Sequence, residues 1–287
     1  MSELTIELNS VRLHGPTVIT VILPDIPAGK EPGEYYTGCR CHPVLWLLHG
    51  GLNGGRDWLR GSNVARFCLE RGIMAVIPNA PNSDFANHPE YADGFFFQDF
   101  FFDELMPFVR GYLHGSARRE DNFIAGYSMG CNAAWMYGLA HPEEFGGVIP
   151  LSSAPLDYRF LEPYRALTGP ELRRAAAEDP VTFHSAYGAP GPLRTKELNL
   201  IAKHETVGDF LDSGEHTRAR FDDAAAEGSL PRVYLTGSLG DAALAEFRRH
   251  ALAIGAKDVA FDLRDGPAHS FAFWDDAIRR GMDHFAL

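Results

Sequence analysis

The stretch Asn122-Phe-Ile-Ala-Gly-Tyr-Ser-Met-Gly130 decides the fold. Its first four residues make an apolar run of strand length, and from Met129 to Leu139 the apolar residues recur at helical spacing. Between the two stands Gly126-Tyr-Ser-Met-Gly130, a G-x-S-x-G pattern. A serine forced into a sharp strand-to-helix turn needs small residues two positions to either side, because the two backbones come too close for a Cβ. Such a turn lifts the Ser128 hydroxyl above the sheet. It also leaves the Met129 backbone N–H at a helix N-terminus, where free donors and the helix dipole favour a developing oxyanion. The bland alternative is a tight glycine turn with an incidental serine; a strand before it and a helix after it favour the nucleophile.

The same texture extends outward in both directions. Val44 to Leu48, Met74 to Ile77, Gly147 to Leu151, Arg232 to Thr236 and Val259 to Leu263 are short, nearly continuous apolar runs, as expected of strands covered on both faces. Helical spacing fills Asp57 to Arg71, Phe95 to Leu113, Asp241 to Leu252 and Phe271 to Phe285. Two alternating runs, Thr5 to Leu13 and Thr17 to Leu23, flank His14-Gly-Pro16 and read as a hairpin. The expected architecture is α/β: a mostly parallel eight-stranded sheet with an antiparallel N-terminal hairpin and helices on both faces. Residues 152–230 hold no strand-like run and read as a mainly helical, cap-like insertion after the sixth strand, within a single domain spanning 1–287. Helical patches are expected there at Glu171 to Glu178 and Leu198 to Leu211. The run from Phe95 to Phe102 reads as a buried helix start, with a pocket wall as the other reading.

A serine hydroxyl is a weak nucleophile near neutral pH, so the pattern demands a base and a group to orient it. Both must lie at the carboxyl ends of the strands. After Arg232 to Thr236 comes Gly237-Ser-Leu-Gly-Asp241, and after Val259 to Leu263 comes Arg-Asp-Gly-Pro-Ala-His269. The order Ser128, Asp241, His269 is the one expected of α/β-hydrolases. Asp262 and Asp265 compete for the aspartate role but need an unusual backbone path. His49 ends a strand yet precedes a glycine pair, and His141, His184, His204, His216, His250 and His284 fit solvated or helix-end positions better. The loop His49-Gly-Gly-Leu-Asn-Gly-Gly55 lies where a second oxyanion donor is needed, with Gly51 first and Leu52 as its neighbour. It lacks the Lys-Ser/Thr of a phosphate-binding loop.

Composition narrows the partners. The 287 residues carry 26 Lys+Arg against 38 Asp+Glu, a net charge of −12, which supplies no general attraction for nucleic acid or anionic lipid. Such a chain suits neutral substrates and repels anionic ones unless the pocket is locally basic. At 45% hydrophobic residues it can bury a sizeable core, and no apolar run approaches the roughly 18 residues that span a bilayer. No secretory signal is visible, and Cys39, Cys41, Cys68 and Cys131 do not make a disulfide scaffold, so a cytoplasmic location is expected. Cys39-x-Cys41 without a second pair reads as ordinary thiols, and neither a metal nor an organic cofactor is expected. The expected partner is a small-molecule ester, with a homo-oligomer left open.

In Val44-Leu-Trp-Leu-Leu-His-Gly-Gly51, Asp57-Trp58, Ile77-Pro-Asn79, Phe123 to Gly130 and His141-Pro-Glu-Glu-Phe145, the chain resembles the esterase D, tributyrin-esterase-like branch of the α/β-hydrolases. The likeness is good from about residue 40 to 155, returns at Gly237 to Asp241 and His269 to Trp274, and is weak through the insertion. It implies Ser128, Asp241 and His269 as triad, backbone donors at Gly51 and Met129, and hydrolysis of short-chain acyl esters through an acyl-enzyme. Trp58 and Tyr127 are the expected substrate contacts. Thioesterases of the S-formylglutathione hydrolase kind, feruloyl esterases and acyltransferases would use the same triad, and a binding protein on the same fold is the non-catalytic alternative. Cys131 stands where the family commonly has another glycine.

Overall fold

The computed structural model describes residues 2–38, 41–91, 94–187 and 191–287. Its strands are β1 (Ser2–Ser10), β2 (Gly15–Leu23), β3 (Val44–Leu48), β4 (Met74–Pro78), β5 (Asn87–His88), β6 (Phe95–Phe96), β7 (Asn122–Tyr127), β8 (Gly147–Leu151), β9 (Val233–Ser238) and β10 (Val259–Arg264). Eight of them form one sheet in the order β1-β2-β4-β3-β7-β8-β9-β10, while β5 and β6 make a separate two-stranded ribbon. β1 pairs antiparallel with β2 and β2 with β4; every other pair in the large sheet is parallel. This is the α/β-hydrolase arrangement expected from the sequence.

The central strands are buried along their whole length because both faces are covered. Val44, Trp46 and Leu48 of β3 point into one apolar cluster, Leu45 and Leu47 into the other, as alternate Cβ atoms leave opposite faces of a strand. The first cluster takes in the helix Met129–Ala140, Phe97, Phe100 and Phe101, and residues of the 152–230 segment such as Leu161, Leu172 and Phe221. That segment therefore shares the hydrophobic core of the sheet. The second cluster packs Phe67, Cys68, Trp274 and Ile278 from the helices Val64–Arg71 and Phe271–His284.

Several expected helices are broken by contacts that periodicity does not carry. Asp57–Arg71 is two helices, Asp57–Gly61 and Val64–Arg71. Gly61 lies against the Phe271 ring, where a Cβ would come within 2.3 Å, and the Asn63 backbone and side chain donate to Asp275 at 2.5 and 2.8 Å. Leu198–Leu211 splits into Thr195–Ala202 and Val207–Leu211, because Thr206 and Asp209 form a capping box that starts a new helix. A helix at Thr217–Glu227, not expected from the sequence, turns Arg218, Phe221 and Ala224 inward; a buried arginine on its inner face blunts the apolar stripe. The phenylalanine run begins with the β6 pairing and then widens into a π-helical turn over Phe100–Leu105 ahead of Pro107, which has no N–H to donate.

Candidate active site

Ser128 sits between β7 and the helix Met129–Ala140 with φ 55° and ψ −118°, a conformation costing a non-glycine residue roughly 1–3 kcal/mol. The close approach that enforces it is measurable. A Cβ on Gly126 would lie 2.0 Å from the Gly130 carbonyl oxygen, and one on Gly130 would lie 2.3 Å from that of Leu48. The helix behind the turn is buried on all sides except at Ala140, so packing over-determines the strained residue.

The His269 Nε2 lies 3.2 Å from the Ser128 Oγ, across 141 residues of chain. With Nε2 accepting the hydroxyl proton, the imidazole carries its own proton on Nδ1. His269 is exposed on its loop and packs edge-on against Trp274 at 4.9 Å. Ser152, which follows β8 at φ 77°, fixes that loop: its hydroxyl donates to the Ala268 carbonyl at 2.5 Å and accepts from the Trp274 indole at 2.9 Å. Sequence reasoning missed Ser152; its position just past a strand end is the signal that was available.

Asp241 lines a cavity of about 430 Å³ together with Ser128, Ser152, Tyr187, Arg194 and His269. Its Oδ1 caps the helix Ala242–Ala253, accepting the amides of Ala243 and Leu244 at 2.9 and 3.1 Å. Among the described residues no hydrogen bond joins it to His269, so the structure brings the three residues to one cavity and closes the Ser128–His269 contact alone. The competing Asp262 is spent elsewhere, accepting from the Tyr234 hydroxyl at 2.5 Å and from Arg264 and Arg280. Asp265 is exposed.

The glycine loop after β3 folds over Ser128. A Cβ on Gly50 would come 3.2 Å from that of Ser128, and one on Gly51 3.9 Å from that of Met129 and 2.6 Å from the Asn82 Oδ1. Gly51 and the helix N-terminus at Met129 are thus neighbours, whereas Leu52 turns its side chain into solvent at 94% exposure. His49 shapes the loop from below: its Nδ1–H donates to the Gly50 carbonyl at 2.8 Å and its Nε2 accepts the Ala80 amide at 3.0 Å. Burial lowers its pKa, keeping the ring neutral as these roles require.

Two expected substrate contacts are placed otherwise. Trp58 is 0% and Tyr127 1% exposed, both in the cluster on the far side of the sheet. Tyr127 precedes the serine and therefore leaves the strand on the opposite face, where it stacks on Trp274 at 4.2 Å and meets Trp58 at 5.0 Å. Its hydroxyl is pushed up to about 12 by burial, and the Trp58 indole donates to the Leu48 carbonyl. They brace the turn instead of lining the cavity. His216, expected at a solvated helix end, is buried and accepts the Tyr158 amide at 3.1 Å. Cys131 is buried beneath the turn with its thiol toward the Ser153 carbonyl at 3.4 Å. Cys39 lies outside the described residues, and among the described ones no group of three or more His, Cys, Asp or Glu side chains is placed to hold a metal. No helix among them is long and apolar enough to cross a membrane.

The family described as "Putative esterase" matches residues 25–219, more than half of the chain. The chain belongs to that esterase family. The matched segment contains Gly51 and Ser128 and ends before Asp241 and His269. The esterase is 25% identical over 289 residues to an acetyl esterase of Caldicellulosiruptor saccharolyticus, covering 99% of this chain and 97% of the relative. Its fold superimposes on the fluorophosphonate-binding serine hydrolase FphF of Staphylococcus aureus with TM-score 0.73 at 21% identity, covering 100% and 98% of the two chains. The S-formylglutathione hydrolase FrmB of the same organism gives TM-score 0.72 at 20% identity, covering 100% and 99%. The protein is a carboxylic ester hydrolase with the α/β-hydrolase fold.

Proposed function

We propose that the esterase is a serine carboxylesterase of the esterase D, tributyrin-esterase-like branch that cleaves small esters with short acyl chains. The observation that carries the serine-esterase reading is the 3.2 Å approach of the His269 Nε2 to a Ser128 Oγ held at φ 55° above the sheet; the branch and the short acyl chain rest on the sequence resemblance. In the mechanism, His269 takes the hydroxyl proton as Ser128 attacks the ester carbonyl. The amides of Met129 and Gly51 receive the oxyanion, each such donor contributing about 10²–10³ in turnover. Asp241 lines the same cavity with its Oδ2 uncommitted among the described residues and is assigned to orient the imidazole through its Nδ1–H, a contact that has still to close from the arrangement in the structure. His269 then protonates the departing alkoxide, and water resolves the acyl-enzyme by the reverse sequence.

A panel of p-nitrophenyl esters from acetate to decanoate, with methyl ferulate and S-formylglutathione alongside, tests the substrate class. Preference for acetate and butyrate is expected; preference for ferulate or the thioester would move the substrate elsewhere. Ser128→Ala should lose about 10³ or more in kcat on p-nitrophenyl acetate. Near-wild-type hydrolysis by a folded variant would sink the mechanism.

A further inference from the structure

The cavity beside Ser128 contains a charge that the rest of the molecule does not consume. Arg194 lines it, and among the described residues that do so it is the fixed cation, with Asp241 as the carboxylate. The Asp241 Oδ1 accepts two helix amides, and the mechanism assigns the other oxygen to the His269 imidazole. No carboxylate of the described residues lies within ion-pair distance of Arg194, and its guanidinium carbon lies over the Tyr187 ring, 5.2 Å from the centroid.

The neighbouring cation shows what a neutralised one looks like here. Lys196 lies over the same ring at 3.7 Å, but its ammonium also meets the Asp84 carboxylate at 2.9 Å, with the two side chains 12% and 3% exposed. The Tyr187 hydroxyl donates to that same carboxylate. Tyr187 is therefore pinned at its hydroxyl and across one charge, and it offers Arg194 a fixed plane to lie on. The backbone is fixed as well, since the buried Glu197 accepts the Arg194 and Ala186 amides at 2.9 and 2.8 Å. Arg194 is exposed at the mouth of the cavity, and a planar guanidinium lying over a ring with its donors unpaired by acid is suited to bidentate recognition of a carboxylate.

We propose that Arg194 is a specificity residue that binds an anionic group, such as a carboxylate, carried by the ester a few bonds from the scissile carbonyl. The proposal rests on the serine-esterase reading of the Ser128 cavity and names its substrate class: anionic esters, against the bias that a net charge of −12 would otherwise impose. A pocket of about 430 Å³ has room for such a group beside a short acyl chain.

Two matched pairs of esters test it. 4-Acetoxybenzoate and its methyl ester place or remove a carboxylate on the leaving side; mono-4-nitrophenyl glutarate and 4-nitrophenyl butyrate do so on the acyl side. For at least one pair, Arg194→Gln should lower the anionic-to-neutral ratio of kcat/KM about tenfold, and Arg194→Lys should restore part of it. Raising NaCl from 20 to 500 mM should raise the ratio in Arg194→Gln, where it screens only the repulsion by the net charge of −12, and should lower it in the wild type relative to that variant. A stacking role alone would change both members of each pair alike. Unchanged ratios in both pairs, in a variant that still hydrolyses the neutral esters, would overturn the proposal and leave the esterase reading standing. A wild-type protein inactive on all four esters would remove that reading and the proposal with it.

Discussion

Ser152 is the residue through which the structure makes a sharp claim about how the His269 imidazole is held. Its hydroxyl links the carbonyl next to His269 to the indole of Trp274, at 2.5 and 2.9 Å. In Ser152→Ala the Trp274 indole, in a side chain only 4% exposed, loses its acceptor at a cost of about 1–3 kcal/mol, while the half-buried Ala268 carbonyl turns to water for about 0.5–1.5. A total of about 1.5–4.5 kcal/mol corresponds to a fall in Tm of roughly 3–9 °C for a chain this long. The catalytic effect should be larger in proportion. Freed of its tie one residue before His269, the loop no longer fixes the imidazole over Ser128, and a displacement near 1 Å costs about 10² in rate. A drop in kcat of about 10–100-fold with KM within threefold is expected on p-nitrophenyl acetate.

Ser152→Gly separates the two contributions. Ser152 has φ 77°, which glycine adopts without the side-chain penalty. After allowing for glycine's greater unfolded-state entropy, this variant should be about 0.5–1 kcal/mol more stable than Ser152→Ala. Turnover should fall alike in both, because both lack the hydroxyl. Thermal melts and steady-state kinetics on the three proteins decide the matter. Turnover within twofold of wild type in Ser152→Ala would refute the positioning role, and equal melting of the two variants would refute the strain argument.

Asp241 should show activity and stability parting company: Asp241→Asn keeps an N-cap of similar quality and should melt like wild type, yet lose about 10²–10⁴ in kcat. Asp241→Ala should lose comparable activity and a further ~1 kcal/mol in urea denaturation. His49 carries a pH signature. Burial lowers its pKa, so above about 6.5 it is neutral in both folded and unfolded chains, and as pH falls the unfolded chain takes the proton first. Stability from the neutral ring is therefore present above that value and lost on acidification. The deficit of His49→Gln relative to wild type should be smaller at pH 5.5 than at pH 7.5 by urea denaturation; a constant deficit would count against it. Cys68 and Cys131 are buried with thiols pushed up to about 12, whereas Cys41 is exposed. A disulfide reagent should modify Cys41 within minutes, and peptide mapping should find Cys68 and Cys131 labelled only after unfolding.

What could be read in the sequence follows the distance over which each feature is determined. The turn at Ser128 is specified within nine residues, since glycine at 126 and 130 answers a clash with backbone that any such turn creates. Position at a strand's carboxyl end likewise brought Gly51, Asp241 and His269 to one edge, because parallel strands share that edge. Face was harder. Tyr127 stands next to Ser128, but one residue along a strand reverses the side chain, and Trp58 sits on a helix whose inner face packs on the same cluster, so both went into the core behind the turn. The residues that line the cavity without belonging to any motif, Ser152, Tyr187 and Arg194, come from a strand end and from the segment whose helices the sequence resolved poorly. Arg194 shows why. Its meaning depends on which acids do not reach it, and an unpaired charge is a property of the folded surroundings that no local pattern encodes. Net charge pointed to neutral esters, yet a guanidinium at the mouth of the cavity with no acid paired to it acts at contact distance, whereas surface charge beyond the Debye length of about 8–10 Å is largely screened. Substrate class is set by that local field, so a chain that is acidic overall can still select an anion.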